Sequence, residues 1–134
     1  MPAAISGRVL VLLAGTALAA ALLAACTSAA GITGPPPTAP PGGAVIVAQG
    51  VAFDRAQLVV PAGTSFALLF DNRDGALHNV TIYDDAGGQP MFIGEVFTGP
   101  GSRSYAVPAI PAGTHRFRCD VHPQMSGTLD AGPR

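Results

Sequence analysis

From Ala44 onward the chain consists of short apolar runs separated by turn residues. The runs include AVIVAQGVAF, QLVV, SFALLF, HNVTIY, MFIGEVF, SRSYAVP and HRFRC, and the breaks between them include PAGT, DNRDG and TGPG. No window shows a helical period long enough to predict a helix. Short strands at this spacing predict an all-β sandwich or barrel, for which about 90 residues suffice.

Alternation of period two predicts which side chains of these runs face the core. The inward-facing sets are Phe66, Leu68 and Phe70 in SFALLF, His78, Val80 and Ile82 in HNVTIY, and His115, Phe117 and Cys119 before the DVHPQM segment. His78 and Cys119 are therefore each in line with buried apolar residues, at the ends of two strands.

The N-terminal segment has the pattern of an export signal. Residues 1–25 run from Arg8 into the apolar stretch VLVLLAGTALAAALLAA, and no acidic residue precedes Asp54. The segment ends in Leu-Ala-Ala-Cys, which resembles the bacterial lipoprotein box, whose Cys is lipidated. The alternative is an uncleaved anchor helix. Both readings place the domain outside the cytoplasm, and two or three acyl chains on Cys26 would attach it durably to a membrane.

The next stretch, TSAAGITGPPPTAPPGG, carries no charge and no aromatic residue and is rich in Pro and Gly. This composition predicts an extended linker. We therefore expect a lipoprotein-type signal peptide over residues 1–25, a lipidated Cys with a flexible linker over residues 26–43, and one domain over residues 44–134.

Length and charge exclude several classes of function. The 134 residues leave no room for a two-domain enzyme. Charged residues make up 11%, the net charge is -1, and the basic residues are all Arg. Nothing in this composition indicates a nucleic-acid partner.

The segment Cys119-Asp120-Val121-His122-Pro123-Gln124-Met125 carries the chemistry, together with His78 at the start of another strand. If Cys26 carries lipid, Cys119 is an unpaired thiol in an oxidising compartment, which needs an explanation. Two imidazoles, a thiolate and a thioether are the ligands of a blue-copper site, with Met on a long axial bond. Zinc is the alternative metal, although Met is a poor zinc ligand and structural zinc sites usually contain a second Cys.

The spacing of these residues resembles that of the cupredoxins, and most closely of their amicyanin and plastocyanin-like branch. The resemblance rests on VAFDRAQLVVPAGTSFALLFDNRD, LHNV and PAGTHRFRCDVHPQM, in this order over residues 44–130. It implies a two-sheet Greek-key β-sandwich with one copper ion at one end, alternating between Cu(I) and Cu(II). It also implies that Asn79 hydrogen-bonds across the ligand loops and supports the environment of the Cys119 sulfur.

Other side chains have alternative roles. Met91 and Gln124 are rival axial donors, and the matched spacing favours Met125. His115 stands where cupredoxins commonly have Tyr, and we expect it to be a core or surface residue. Arg116 and Arg118 alternate outward beside the Cys strand, where they suit either a solvated face or the docking of a partner. We assign the acidic residues to solvated turns in preference to a partner patch: Asp71, Asp74, Asp84 and Asp85.

We therefore expect a membrane-anchored, monomeric electron carrier, not an enzyme, that exchanges single electrons with transient redox protein partners. It would be extracytoplasmic, on the periplasmic or outer face of the membrane. The alternative function is a copper-binding lipoprotein for copper sequestration, sensing or delivery, which would have nearly the same ligands. A nitrite reductase half lacks support because the chain has only three His, and a binuclear copper centre needs a second Cys in the loop.

Overall fold

The computed structural model describes residues 34–35, 37–84 and 88–133. The predicted signal peptide and Cys26 lie outside the described residues, as does the first part of the predicted linker. In the described part of the chain, no helix is long and apolar enough to cross a membrane.

Ten β-strands lie in the part of the chain that the structure describes. They are β1 (Ala44–Ala48), β2 (Gln57–Pro61), β3 (Phe66–Asn72), β4 (Leu77–His78), β5 (Thr81–Tyr83), β6 (Pro90–Ile93), β7 (Phe97–Thr98), β8 (Gly101–Val107), β9 (Gly113–Arg118) and β10 (Ser126–Gly132).

The strands form two main sheets and one short ribbon. The first sheet has the order β1-β3-β8, the second has the order β2-β10-β9-β5-β6, and β4 pairs with β7. The pairs β1–β3 and β2–β10 are parallel, whereas the other strand pairs are antiparallel. The predicted all-β fold, a two-sheet Greek-key sandwich, is confirmed.

The core lies between the two main sheets and follows the predicted alternation. Phe66, Leu68 and Phe70 of β3 are buried, and His115, Phe117 and Cys119 on and after β9 are buried as well. The segment from His78 to Tyr83 departs from simple alternation because it is buried along its whole length, including Asn79 and Thr81. Polar side chains enclosed in this way need hydrogen-bond partners.

The strand ends bring the sequence motifs together. His78 follows β3 after a short loop, and Cys119 directly follows β9. The side chains of these two residues meet at one end of the sandwich, which we call the metal end. The opposite end includes Gly63, whose amide donates to the carbonyl of Ile110, and Gly113 at the start of β9.

Candidate metal centre

Three donor side chains converge at the metal end. The Sγ atom of Cys119 lies 3.8 Å from Nδ1 of His78 and 4.0 Å from Nδ1 of His122. All three donor atoms lie within 4.8 Å of one another. Two donors that each lie about 2.0–2.3 Å from one ion can be separated by no more than about 4.6 Å. The two sulfur–nitrogen distances lie below this limit, and the three donors fit one transition-metal ion once their widest separation closes by a few tenths of an ångström.

A carboxylate contacts the Nε2 atom of His78, the ring nitrogen that does not face Cys119. Its side chain is fully buried, and its Nε2 atom lies 3.0 Å from Oδ2 of Asp74. Asp74 also accepts backbone hydrogen bonds from Gly50 at 2.7 Å and Val51 at 2.9 Å. Burial raises the pKa of Asp74, but these amides and the imidazole outweigh burial and lower the pKa below its usual value. With Nε2 donating to this carboxylate, Nδ1 is left free to bind a metal.

The loop from Cys119 to Met125 is closed by its own backbone. The Cys119 amide donates to the Met125 carbonyl at 2.9 Å, and the Met125 amide donates to the His122 carbonyl at 2.9 Å. Beyond the loop, a Cβ on Gly127 would overlap the Phe117 ring and the Ala56 carbonyl. Glycine is therefore required there, because any side chain would overlap these atoms.

The three candidate axial donors occupy different environments. Met125 is 2% exposed and belongs to the same buried cluster as Cys119. Gln124 is exposed, and Met91 on β6 is partly buried against the core. Burial beside the thiol favours Met125 as the fourth donor.

Asn79 joins the His78 strand to the ligand loop. Its Oδ1 accepts the Asp120 amide at 2.8 Å, and its Nδ2 donates to the Asp120 carboxylate at 2.9 Å and to the Gly94 carbonyl at 3.2 Å. Asn79 is 1% exposed. The cross-loop hydrogen bonds implied by the family resemblance are thus present, and they fix the backbone next to Cys119.

Asp120 is a second hydrogen-bonding centre beside the site. Its carboxylate accepts hydrogen bonds from the Thr81 and Tyr83 hydroxyls as well as from Asn79. Burial raises the pKa of Asp120, but the three donors, with a smaller contribution from Arg118, bring it below its usual value. Burial, together with the hydrogen bond to Asp120, raises the pKa of Tyr83. The carboxylate of Asp120, the residue after Cys119, is therefore held in place by several hydrogen bonds.

The second imidazole lies nearer to solvent. His122 is partly exposed whereas His78 is fully buried, and their ring centroids are 4.8 Å apart. Leu77 precedes His78 and is 48% exposed, and Val121 precedes His122 and is 40% exposed. The metal end thus carries exposed apolar side chains on both ligand segments.

The contacts that Asp74 and Arg118 make were not predicted from the sequence, whereas the core position of His115 was among the expectations. Asp74 was assigned to a solvated turn and Arg118 to a solvated face or a docking surface, but Asp74 contacts His78, and Arg118 donates to the Tyr83 hydroxyl at 3.0 Å. The sequence carries no local signal for the first contact, because a spacing of four residues brings side chains together in a helix but not in a loop that leads into a strand. His115 is a buried core residue, as expected, with Nε2 2.8 Å from the Pro111 carbonyl.

The family model described as the cupredoxin-like domain matches residues 15–130. The chain belongs to this family. No curated protein sequence matched the chain.

Solved cupredoxin structures share the fold. Reduced auracyanin from Roseiflexus castenholzii has a TM-score of 0.61 at 20% identity, with 72% of this chain and all of that chain covered. Auracyanin A from Chloroflexus aurantiacus, titled a blue copper protein, has a TM-score of 0.58 at 20% identity, with 67% of this chain and all of that chain covered. Amicyanin from Paracoccus versutus has a TM-score of 0.53 at 24% identity, with 69% and 83% covered. These likenesses show a common fold.

Proposed function

We propose that this cupredoxin binds one copper ion through His78, Cys119, His122 and Met125 and carries single electrons outside the cytoplasm, attached to a membrane through lipid on Cys26. The observation that carries the proposal is the convergence of one thiol and two imidazole nitrogens within 4.8 Å, at the end of a cupredoxin sandwich. Copper in this donor set would supply a one-electron Cu(I)/Cu(II) couple.

The donor chemistry favours copper over zinc. Sulfur and imidazole donors suit copper, and a thioether is a poor ligand for zinc. Structural zinc sites usually contain a second Cys, whereas Cys119 is the single Cys among the described residues. The buried Met125 beside Cys119 has the chemistry of a weak axial ligand.

The hydrogen bonds that hold the donor residues in place favour electron transfer over copper delivery. Asp74 holds His78, Asn79 holds the residue after Cys119, and the loop is closed from Cys119 to Met125. Donors fixed in this way move little when the charge of the site changes, so the reorganisation on electron transfer stays small. The complete burial of His78 and Cys119 favours retention of the metal over its rapid release.

The exposed side of His122 and the apolar side chains near it suit a transient redox partner. Val121 and Leu77 are exposed, and neither carries a charge that would bind a partner tightly. Redox encounters typically use small, weak interfaces. We therefore place the partner contact at the metal end and describe the protein as an electron carrier and not an enzyme.

An absorption spectrum tests this proposal directly. Copper-loaded full-length protein in detergent should show an intense visible band from thiolate-to-copper charge transfer. Cys119→Ser should abolish the band because a hydroxyl replaces the thiolate. Cys26→Ser, the matched control, should keep the band while releasing the protein from the membrane fraction.

The same samples separate the alternatives. A colourless protein that retains stoichiometric zinc would contradict the copper assignment. Rapid loss of copper to a chelator, with no reversible one-electron wave in voltammetry, would favour copper handling over electron transfer.

A further inference from the structure

The Pro-rich segment before β1 contacts the domain. Arg73 donates from Nη1 to the Gly34 carbonyl at 2.6 Å and from Nη2 to the Pro35 carbonyl at 2.9 Å. Its Nε atom pairs with Asp71 at 2.7 Å, and its side chain is only 8% exposed. A guanidinium that is this well buried and bonded to two successive carbonyls fixes the position of the segment.

A turn reverses the chain between this contact and β1. The Gly43 amide donates to the Pro40 carbonyl at 2.8 Å, and Gly42 has a φ of 73°. Pro41 followed by a glycine with positive φ matches a type II turn. A Cβ on Gly43 would lie 2.5 Å from the Ala67 carbonyl, so the turn packs closely against β3.

The turn and the contact lie at opposite ends of the sandwich. β1 runs parallel to β3, pairing Ala44 with Leu68 and Ala48 with Asn72, so β1 starts far from the metal end and runs towards it. Arg73 directly follows β3 and precedes Asp74, the partner of His78. Residues 34–35 therefore lie near the metal end, and the turn at residues 40–43 lies at the opposite end, where β1 begins.

The burial of β1 agrees with this course. Ala44, Ile46 and Ala48 belong to the main core cluster, whereas Val45 and Val47 alternate with them and lie outside it. Val45 and Val47 are nevertheless only 4% and 3% exposed, although β1 is an edge strand of its sheet. Residues 52–54 cover part of this edge, since Asp54 exchanges two hydrogen bonds of 2.8 Å with the backbone of Val47, and such cover is expected for a buried edge strand.

We propose that Arg73 and the turn at residues 40–43 direct the chain out of the domain at the metal end, so that lipid on Cys26 turns this end towards the membrane and a redox partner embedded in it. The inference rests on the membrane anchoring proposed above. Seven residues, 27–33, separate Cys26 from Gly34. In polyproline II they span about 22 Å, whereas the full linker of residues 27–43 would span about 53 Å from the opposite end.

Nuclear magnetic resonance on the lipidated, Cu(I)-loaded full chain in nanodiscs tests the orientation. With paramagnetic lipid headgroups, the relaxation enhancement at the Leu77 and Val121 amides should be several-fold larger than at Gly63 and Gly113. Arg73→Gln should reduce this difference because the segment is released from the domain. Gly42→Val should do the same through the turn, since a β-branched residue disfavours positive φ. Arg55→Gln, which loses only the exposed pair with Asp54, is the matched control.

A second measurement separates this inference from the anchoring. In the same full chain, the Gly34 amide should have the heteronuclear NOE of a rigid residue and should become mobile in Arg73→Gln. Equal enhancement at both ends of the wild-type domain, or a mobile Gly34, would overturn the inference. Rigid Gly34 with no enhancement at either end would refute the membrane anchoring and thus the orientation, while the contact with Arg73 would stand.

Discussion

Asp74 stands directly behind His78, with its Oδ2 atom 3.0 Å from the imidazole Nε2 and its carboxylate fixed by two backbone amides. A metal-binding imidazole commonly donates its second ring N–H to such an acceptor, which selects the tautomer and orients the ring. The chain thus supplies both the buried donor and its support from the five residues 74–78, so the support can be tested separately from the ligands.

Asp74→Asn should weaken copper binding by roughly 10–100-fold, because an amide nitrogen facing Nε2 would favour the tautomer with its proton on Nδ1. Competition with a chelator of known affinity measures the effect. Asp71→Asn is the matched control, since Asp71 contacts Arg73 and Ser102 but not His78. Equal affinities for the two variants would show that Asp74 does not support the site.

Met125→Gln should lower the reduction potential while the visible band remains, because an amide oxygen is a harder donor than a thioether and favours Cu(II). Met91→Gln and Gln124→Ala should leave the potential almost unchanged, since Met91 lies on β6 and Gln124 is exposed. Voltammetry on the three variants gives the comparison. A large drop for Met91→Gln with none for Met125→Gln would overturn the axial assignment.

Thr81→Val should lower the free energy of unfolding of the metal-free protein by about 1–3 kcal/mol. The substitution keeps the shape of a side chain that is 1% exposed and removes the hydroxyl that donates to Asp120 and accepts from Asn79. Urea denaturation measures the loss. Thr128→Val, at an exposed position on β10, should change the stability much less, and equal losses would argue against a special role for the Asp120 network.

Asp130 gives a pH-dependent contribution to stability away from the metal end. Hydrogen bonds from Thr114 and Gln57 lower the pKa of Asp130. The same hydrogen bonds join β9 and β2 to β10. Because the folded-state pKa lies below the unfolded value of about 3.9, the carboxylate stabilises the fold at higher pH. This contribution is lost as the pH falls through the folded-state pKa.

The melting temperature of Asp130→Asn, measured against wild type from pH 7 to pH 2 on the metal-free protein, should therefore differ most at neutral pH. The difference should shrink under acid conditions. In a Thr114→Val background it should be smaller at every pH, because one of the two donors is gone. A difference that does not depend on pH would contradict the assignment.

Much of the fold and of the site could be predicted because the signals are local. The alternation of Phe66, Leu68 and Phe70 reports one buried face, and the Cys-x-x-His-x-x-Met spacing lies within one loop. The role of Asp74 could not be predicted from its residue type, since an Asp in a turn is ordinary. Only the tertiary structure shows that its carboxylate faces an imidazole.

The roles of Asp120 and of the Pro-rich segment were hidden for a similar reason. Asp120 gains its partners from Asn79 and from β5, about 40 residues earlier in the chain. The contacts of Gly34 and Pro35 depend on an arginine that follows β3. Composition predicts an extended segment but does not indicate which surface it follows.

The parallel pairing of β2 with β10 has a consequence for the order of assembly. Gln57 pairs with Thr128 near the C-terminus, so the second sheet cannot close until almost the whole chain is present. Pairings between such distant segments form slowly, because the entropy of closing a long loop must first be overcome. Until residues 126–132 are available, β2 and β9 lack their common partner strand, and the strand that leads into the ligand loop is held on one side only. Metal loading of the folded site must therefore follow the pairing of β10 with β2 and β9.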